Sequence, residues 1–294
     1  MPELPEVETI KEGLNSRIRG RVIKDIEIRE PKLFRGDEKK VVGAEIKKVW
    51  RRAKVLLVEL SQEKIASSRA RNDIFLAIHL KMTGQLVYQG ADCKIKVVGG
   101  HPQAEYNQPL PHGHTHIIFD FTDGSRLYFN DLRKFGWVAV FDKEELKEQT
   151  FIKDVGPEPL AEEFKSQISN LKMTIQNSKR AIKTLLMDQS FIAGIGNIYS
   201  DEILYDAGVR PDRLAGSISD EEIAKIFKVI PEVLKHALEH GGTSDSTFIG
   251  VDGERGDYLK HAYVYHKFKD PKGHKIITKK IGGRTAHFCE ICQR

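Results

Sequence analysis

The hydrophobic pattern of the chain changes near residue 155, and this change limits the folds that it can adopt. Before that point, short apolar runs at 55–60, 75–80 and 116–121 are bounded by turn residues, which is typical of β-strands. After the Gly-Pro-Glu-Pro segment at 156–159, apolar residues recur at helical spacing. A length of 294 residues leaves room for two domains of ordinary size. The sequence therefore predicts an α+β protein with several domains.

Three local signals place individual elements. Residues 5–18 carry a proline at the first helical position and one apolar face, so they are predicted to form a helix. Asp123-Gly124 lies between two strand-like runs and predicts a tight hairpin. Ser219 and Glu222 match a capping box at the start of the last long helix, where we expect Pro231 to introduce a kink or a break.

Three polar stretches interrupt these patterns. Residues 62–73 and 90–111 lie between predicted strands, and we expect both to be surface loops. Residues 241–256 are rich in glycine, serine and aspartate, which predicts a mobile loop.

Composition narrows the classes of protein to consider. The chain is 40% hydrophobic and 30% charged, and no apolar stretch is long enough to cross a bilayer, so no membrane partner is expected. The amino terminus lacks the basic and apolar regions of a secretory signal. Three cysteines cannot build a disulfide framework. These features together predict a soluble, cytoplasmic protein.

Positive charge is concentrated at the carboxyl terminus. The net charge of the whole chain is +5, but residues 260–294 contain nine lysines and arginines against two acids, which leaves this segment at +7. A basic terminal segment is expected of a protein that binds a phosphate backbone, although a solvated surface would have the same composition.

The second residue suggests a nucleophile. Removal of Met1 would leave Pro2 as a secondary amine, and an α-amino group has a reference pKa of about 8, so part of it is uncharged at neutral pH. Attack on a sugar C1′ would give an iminium ion that acidifies the C2′ proton and permits β-elimination. Glu3 could donate a proton to the ring oxygen, and Glu6 lies within reach of the same pocket. By itself, a terminal Pro-Glu is more often a frayed end.

Longer motifs decide between these interpretations. MPELPEVET at the amino terminus resembles the corresponding motif of formamidopyrimidine-DNA glycosylases, and further similar segments follow in the family's order along nearly the whole chain: RRAKVLL, HLKMTG, DLRKFG, IAGIGNIYSDEILY and GRTAHFCEICQR. The resemblance implies an amino-terminal catalytic β-sandwich with an amino-terminal helix (1–150), a helical helix-two-turn-helix domain (151–256) and a carboxyl-terminal zinc-finger-like β-hairpin (257–294).

The resemblance also implies an activity. It identifies a base-excision repair enzyme that removes oxidised purines, such as 8-oxoguanine and formamidopyrimidines, from damaged double-stranded DNA and then cuts the abasic site by β/δ-elimination. Pro2 would be the nucleophile, Glu3 the general acid, and Lys54 a contact to the phosphate beside the lesion. A monomer without an organic cofactor is expected.

Six residues are expected at the DNA because they match the family's motifs. Met82, Arg133 and Phe135 would enter the duplex when the damaged nucleotide is turned out, since a wedge and a guanidinium recover part of the lost stacking and pairing. Without the resemblance, both apolar residues would be assigned to the core. The family usually has proline and arginine where this chain has Leu132 and Lys134. The remaining expected DNA contacts are His114, Asn197 at a helix amino terminus, and Arg284 in the finger.

The finger departs from the family's pattern. The usual two C-x-x-C pairs would supply four thiolates to zinc, but the finger segment of this chain has only one pair, Cys289 and Cys292. Two alternatives stay open: either His266 or His274, or both, complete a mixed zinc site, or the hairpin folds without metal.

Three alternatives to the leading function remain. The first is the sister group of glycosylases that prefers oxidised pyrimidines. The second is a lesion-binding protein without turnover, against which Pro2, Glu3 and Lys54 argue. The third is a redox or metal module built on the two finger cysteines, which would explain only the last few residues.

Overall fold

A computed structural model describes residues 1–62, 73–101, 103–243 and 256–294. It divides the chain into two compact units. The first contains residues 1–153 and 241–256, and the second contains residues 154–240 and 257–294. The finger thus shares a unit with the helices that precede it. The division into three domains at residues 150 and 256 stays a prediction.

In the residues that the structure describes, the first unit contains two five-stranded sheets. Its strands are β1 (Ile23–Ile28), β2 (Phe34–Arg35), β3 (Ala44–Arg52), β4 (Val55–Gln62), β5 (Ile74–His79), β6 (Gly84–Gln89), β7 (Ile95–Gly100), β8 (Thr115–Phe121), β9 (Arg126–Asp131) and β10 (Trp137–Asp142). The order is β1-β8-β9-β6-β7 in one sheet and β2-β10-β5-β4-β3 in the other. Pairing is antiparallel except between β10 and β2.

One apolar core joins the two sheets and helix α1 (Leu4–Ile18). Phe119 and Phe129 come from one sheet, while Leu56 and Ile78 come from the other, and all four are buried in the same cluster. The apolar face of α1 packs into this cluster through Val7, Ile10, Leu14 and Ile18. The predicted amino-terminal helix and β-sandwich are therefore confirmed.

The strand connections confirm one prediction and correct another. β8 and β9 form the predicted hairpin, and Gly124 in its turn has a φ of +86°, which glycine adopts without strain. Residues 90–111 are not wholly a loop, because β7 lies within them and pairs with β6 at the edge of its sheet. Residues 63–72 lie outside the described part of the chain.

Short helices α2 (Lys143–Lys147) and α3 (Thr150–Lys153) end the first stretch of the first unit. The second unit contains helices and one hairpin: α4 (Phe164–Gln176), α5 (Ile182–Leu186), α6 (Asn197–Ala207), α7 (Asp220–Glu239), α8 (Tyr258–His261), β11 (Ile277–Ile281) and β12 (Arg284–Phe288). The predicted carboxyl-terminal hairpin is confirmed, and Gly282 and Gly283 form its two-residue turn with positive φ angles.

Helix α7 begins at the predicted capping box. The Ser219 N–H donates to Glu222 Oε2 at 2.8 Å, and the Glu222 N–H donates to Ser219 Oγ at 3.2 Å. The helix is not split at Pro231, since it continues to Glu239, and the alternative of a kink there stays a prediction. Its buried apolar face, which includes Phe227 and Leu234 on either side of the proline, outweighs the lost hydrogen bond. None of the helices in the described residues is long and apolar enough to span a membrane.

Candidate active site and nucleic-acid interface

The amino terminus of the chain is held in place. Pro2 is buried, and Glu3 is the N-cap of α1 with a relative exposure of 4%. The Glu3 N–H donates to Glu6 Oε2 at 2.8 Å, which satisfies one of the free amide groups at the helix start. The interpretation of a frayed end therefore does not apply to this terminus.

Glu6 also binds a distant segment of the first unit. Its second oxygen, Oε1, accepts from the backbone N–H of Thr243 at 2.8 Å and from the Thr243 hydroxyl at 2.9 Å. A β-carbon on Gly242, whose φ is +78°, would lie 2.8 Å from the same oxygen. Sequence reasoning missed both Gly242 and Thr243, although the Gly-Gly pair at 241–242 was a signal of a close backbone approach.

Lys54 lies in the two-residue turn between β3 and β4, and it is 7% exposed. Its charge reaches His79, another residue that sequence reasoning missed. Burial lowers the pKa of His79 to about 3, and the positive charges of Lys81, Lys54 and the amino-terminal amine add to this effect. His79 is therefore neutral at physiological pH, and the surrounding cations favour an anionic ligand such as a phosphate.

Two large apolar side chains are exposed where the motifs placed the wedge. Met82 is 40% exposed and Phe135 is 54% exposed, so neither is a core residue. The Arg133 guanidinium carbon lies 4.7 Å from the centre of the Phe135 ring, which is a cation–π distance. This stacking places an apolar surface beside a donor of several hydrogen bonds, as insertion into a duplex requires.

A buried carboxylate organises these two loops. Asp131 is fully buried, and its oxygens accept from the backbone N–H groups of Arg133 and Gly136 at 3.2 and 2.6 Å. The Thr83 hydroxyl also donates to Asp131 and accepts from the Arg133 N–H at 3.1 Å. Asp131 thus ties the loop that carries Met82 to the loop that carries Arg133.

Tyr106 strengthens the same connection. Its hydroxyl donates to the Thr83 carbonyl at 2.7 Å and accepts from the Leu132 N–H at 2.7 Å. Its ring centre lies 5.5 Å from that of His112 and 6.2 Å from that of His114. The predicted DNA residue His114 therefore lies near the loop that begins at Leu132.

Left-handed backbone recurs beside the predicted DNA residues. Ala53 precedes Lys54 with a φ of +49°, Lys81 precedes Met82 with +51°, and Lys134 separates Arg133 from Phe135 with +54°. Residues other than glycine rarely adopt positive φ angles, because this conformation costs about 1–2 kcal/mol of stability at each position. These turns hold strained backbone where the side chains must project from the sheets.

In the second unit, a glycine-containing turn joins α5 to α6. Gly194 has a φ of +83°, and its N–H donates to Gln189 Oε1 at 2.9 Å. Asn197 is the first residue of α6, and its buried Oδ1 has no hydrogen-bond partner among the described residues. The amide N–H groups at the start of a helix are suited to binding a phosphate.

Buried charges fix the following residues of α6. The ammonium group of the fully buried Lys183 donates to Asp201, whose other oxygen accepts from the backbone N–H of His287 at 2.9 Å. Glu202 accepts from the N–H groups of residues 263–265 at 2.6 to 3.0 Å. Burial raises the pKa of Glu202 to about 7. Asp201 therefore attaches α6 to strand β12 of the hairpin, and Glu202 attaches it to the segment that precedes the hairpin.

The finger brings together four potential metal ligands: Asp270, His274, Cys289 and Cys292. One donor atom from each lies within 4.8 Å of the others. Asp270 Oδ2 lies 3.1 Å from Cys292 Sγ and 3.3 Å from His274 Nδ1. Sequence reasoning identified His274 but missed Asp270. His266 is not in the group; its ring stacks on Tyr265 with 4.3 Å between the centres.

Two family models match this chain, the formamidopyrimidine-DNA glycosylase N-terminal domain over residues 1–138 and the formamidopyrimidine-DNA glycosylase H2TH domain over residues 155–248. Formamidopyrimidine-DNA glycosylase from Pelotomaculum thermopropionicum is 37% identical and covers 100% of this chain and 99% of its own length. The protein of that name from Listeria monocytogenes is also 37% identical, with 100% of both chains covered. The chain belongs to the formamidopyrimidine-DNA glycosylase family.

Solved structures agree with this assignment. The Lactococcus lactis formamidopyrimidine-DNA glycosylase in complex with abasic-site DNA is 29% identical, with a TM-score of 0.83 over 99% of both chains. The same bacterial enzyme bound to DNA containing N7-benzyl-Fapy-dG is also 29% identical, with a TM-score of 0.83 over 100% of both chains. The family resemblance expected from the motifs is therefore confirmed.

Proposed function

We propose that this protein is a base-excision repair enzyme that removes oxidised purines from duplex DNA and then nicks the abasic site through a Schiff base on Pro2. The observation that carries the proposal is the buried and anchored amino terminus, where Glu6 holds the Glu3 backbone at the start of α1. A nucleophile must be held in one position to react efficiently, and a terminal amine is otherwise the most mobile group of a chain.

The reaction follows from these groups. The Pro2 nitrogen, exposed by removal of Met1, bonds to C1′ as the bond from C1′ to the damaged base breaks. Glu3 gives a proton to the ring oxygen, the sugar opens, and an iminium ion forms. Loss of the C2′ proton then expels the 3′ phosphate by β-elimination, and a second elimination expels the 5′ phosphate. Lys54 would bind the phosphate beside the lesion.

The sequence suggested Glu6 as a second acid in the catalytic pocket, but its contacts favour a structural role. Its two oxygens bind the backbone of Glu3 and both donors of Thr243. Glu6 is therefore a positioning residue that orients the start of α1, while Glu3 supplies the proton.

The contacts to DNA belong to both units. Met82, Arg133 and Phe135 fill the space that the extruded nucleotide leaves, and Tyr106 and Asp131 keep their loops in place. His114, Asn197 and Arg284 would bind the backbone. The predicted cytoplasmic location and monomeric state stay predictions.

Borohydride trapping tests the nucleophile. We expect the processed protein to form a covalent adduct with a duplex that contains an abasic site, because borohydride reduces the iminium ion. A form that retains Met1 should form none, and Pro2→Gly should trap more slowly because it has a primary amine. Glu3→Gln should bind the lesion duplex but release little base. Failure of the processed protein to trap would refute the proposed mechanism.

The exposed Met82 and Phe135 favour oxidised purines over the pyrimidine alternative, because they match the purine group's wedge. Excision from 8-oxoguanine and thymine-glycol duplexes, measured side by side, tests this preference. Faster release of thymine glycol would overturn it.

The residues of the finger also fit a structural zinc ion. Asp270 and Cys289 are buried, and one carboxylate, one imidazole and two sulfur atoms form a four-donor set of the kind that zinc binds. We infer that Asp270 and His274 replace the missing cysteine pair. Bound there, zinc would hold the hairpin closed and present Arg284, without taking part in the chemistry.

Cobalt substitution tests the finger site. A thiolate-to-cobalt charge-transfer band should appear in the wild-type protein and disappear in Cys292→Ser. His266→Gln is the matched control, and it should keep the band because His266 is outside the group. If the wild-type protein has no such band, the hairpin folds without metal.

A further inference from the structure

A second group of potential ligands lies elsewhere in the second unit. His236, His240 and His261 bring one ring nitrogen each to within 4.8 Å of one another. His236 lies in the last turn of α7, His240 is the C-cap of that helix four residues later, and His261 ends α8. The group contains no residue of the finger or of the proposed active site.

The three histidine rings pack against one another. The His240 and His261 ring centres are 3.8 Å apart in a stacked arrangement, and the His236 ring lies edge-on at 4.8 Å from His240. At these distances, three imidazole rings can each offer one nitrogen atom to the same metal ion. Neutral imidazole is the form that binds a metal ion.

Asp257 supplies the outer partner that metal-binding histidines usually have. Its Oδ1 lies 2.8 Å from His240 Nδ1, so Nδ1 carries the proton and Nε2 of His240 is left as a ligand atom. Asp257 Oδ2 lies 3.7 Å from His261 Nε2 and 3.6 Å from the Lys260 ammonium. The Asp257 carboxylate therefore places negative charge beside two of the three rings, those of His240 and His261.

The position in the fold also favours a cation. His236 and His240 lie at the carboxyl-terminal end of the 20-residue helix α7, where the helix dipole is negative. The side chains of His240 and His261 are 27% and 41% exposed, so an ion can reach them. The edge of a zinc tetrahedron is about 3.3 Å, so the ring nitrogens would have to move closer together, and partly exposed side chains can change rotamer.

We propose that His236, His240 and His261 form a second divalent-metal site of the zinc class, with Asp257 as its outer hydrogen-bond partner. Water would complete the coordination. The ion would join the last turn of α7 to α8, the two points at which the chain leaves and re-enters the second unit.

Cobalt titration of the full-length protein tests this site independently of the finger. We expect the wild-type protein to bind one equivalent of cobalt that gives d–d absorption without a thiolate charge-transfer band. The double variant His236→Gln/His261→Gln should not bind this equivalent. Asp257→Asn keeps all three rings and should weaken this equivalent about 10- to 100-fold. His266→Gln is the matched control and should bind as the wild type does.

Far-UV circular dichroism without metal should show that each variant is folded. The proposal is overturned if the wild-type protein binds no thiolate-free equivalent, or if the double variant binds as many ions as the wild type does. Should the double variant not fold, unchanged affinity in Asp257→Asn would overturn it.

Discussion

Glu202 shows how a single buried carboxylate ties stability to pH. Burial raises its pKa from 4.5 to about 7 even though it accepts three backbone hydrogen bonds. The folded protein therefore holds a proton that the unfolded chain releases. The contribution of Glu202 to stability is full below about pH 4.5 and is lost as the pH rises to about 7, a change of about 3 kcal/mol.

Replacement of Glu202 by glutamine removes this titration. We expect the melting temperature of Glu202→Gln to fall less steeply between about pH 5 and about pH 8 than that of the wild type, although it is lower throughout because an acceptor is lost. The exposed Glu162→Gln in the same unit is the control and should follow the wild-type curve. Parallel curves for Glu202→Gln and wild type would contradict the prediction.

Some residues of the candidate site could be predicted from the sequence and others could not. Pro2 and Glu3 could be predicted because their chemistry and their position at the terminus are both visible in the motif. Asp131 could not, since its partners are set by the pairing of β6 with β9, which places Thr83 beside a residue 48 positions away. Asp270 could not be predicted, since structural zinc sites are mostly built from cysteine and histidine.

At the scale of elements, strong local signals were reliable and weak ones were not. The helix α1 and the β8–β9 hairpin each have a specific start or turn residue, and both appear where they were predicted. Strand β7 was missed because its edge position and its polar flanks hide the strand pattern. The break expected at Pro231 fails because packing along α7 decides the outcome.

Replacing two glycines in turn can show whether the backbone at Gly242 positions Glu6 and the start of α1. Gly242 and Gly43 have φ angles of +78° and +80°, but only at Gly242 would a β-carbon meet Glu6, at 2.8 Å; at Gly43 nothing lies within 4 Å. Both alanine variants should lose about 1–2 kcal/mol of stability from the backbone. We expect Gly242→Ala alone to slow base excision, by about 10- to 100-fold, because it displaces Glu6 and the start of α1.

Melting temperatures and single-turnover excision rates separate the two effects. Gly43→Ala serves as the matched control, since it has the same backbone strain without the contact. Equal excision rates in the two variants would show that Glu6 does not position the amino terminus.

For the whole molecule, charge governs association with DNA. The net charge of +5 is modest, but the +7 on residues 260–294 predicts strongly salt-dependent binding. Arg284 is exposed at the tip of the β11–β12 hairpin. We expect Arg284→Ala to reduce the slope of log affinity against log salt concentration by about 0.9, which corresponds to one phosphate contact.

Fluorescence anisotropy with a lesion duplex at several salt concentrations measures this slope. Lys165→Ala, which removes an exposed charge from α4, is the control and should leave the slope unchanged. An unchanged slope in Arg284→Ala would place the finger away from the phosphates.

The first unit is discontinuous in sequence, because residues 241–256 complete it after the chain has already formed most of the second. Thr243, which binds Glu6, belongs to this late segment. During synthesis, more than 80 residues beyond the amino-terminal portion must therefore follow before Thr243 can bind Glu6. A gene fusion that exchanged the first 153 residues between relatives would combine Glu6 of one protein with Gly242 and Thr243 of another. Residues 1–153 and the segment that contains Gly242 and Thr243 are therefore expected to be inherited together.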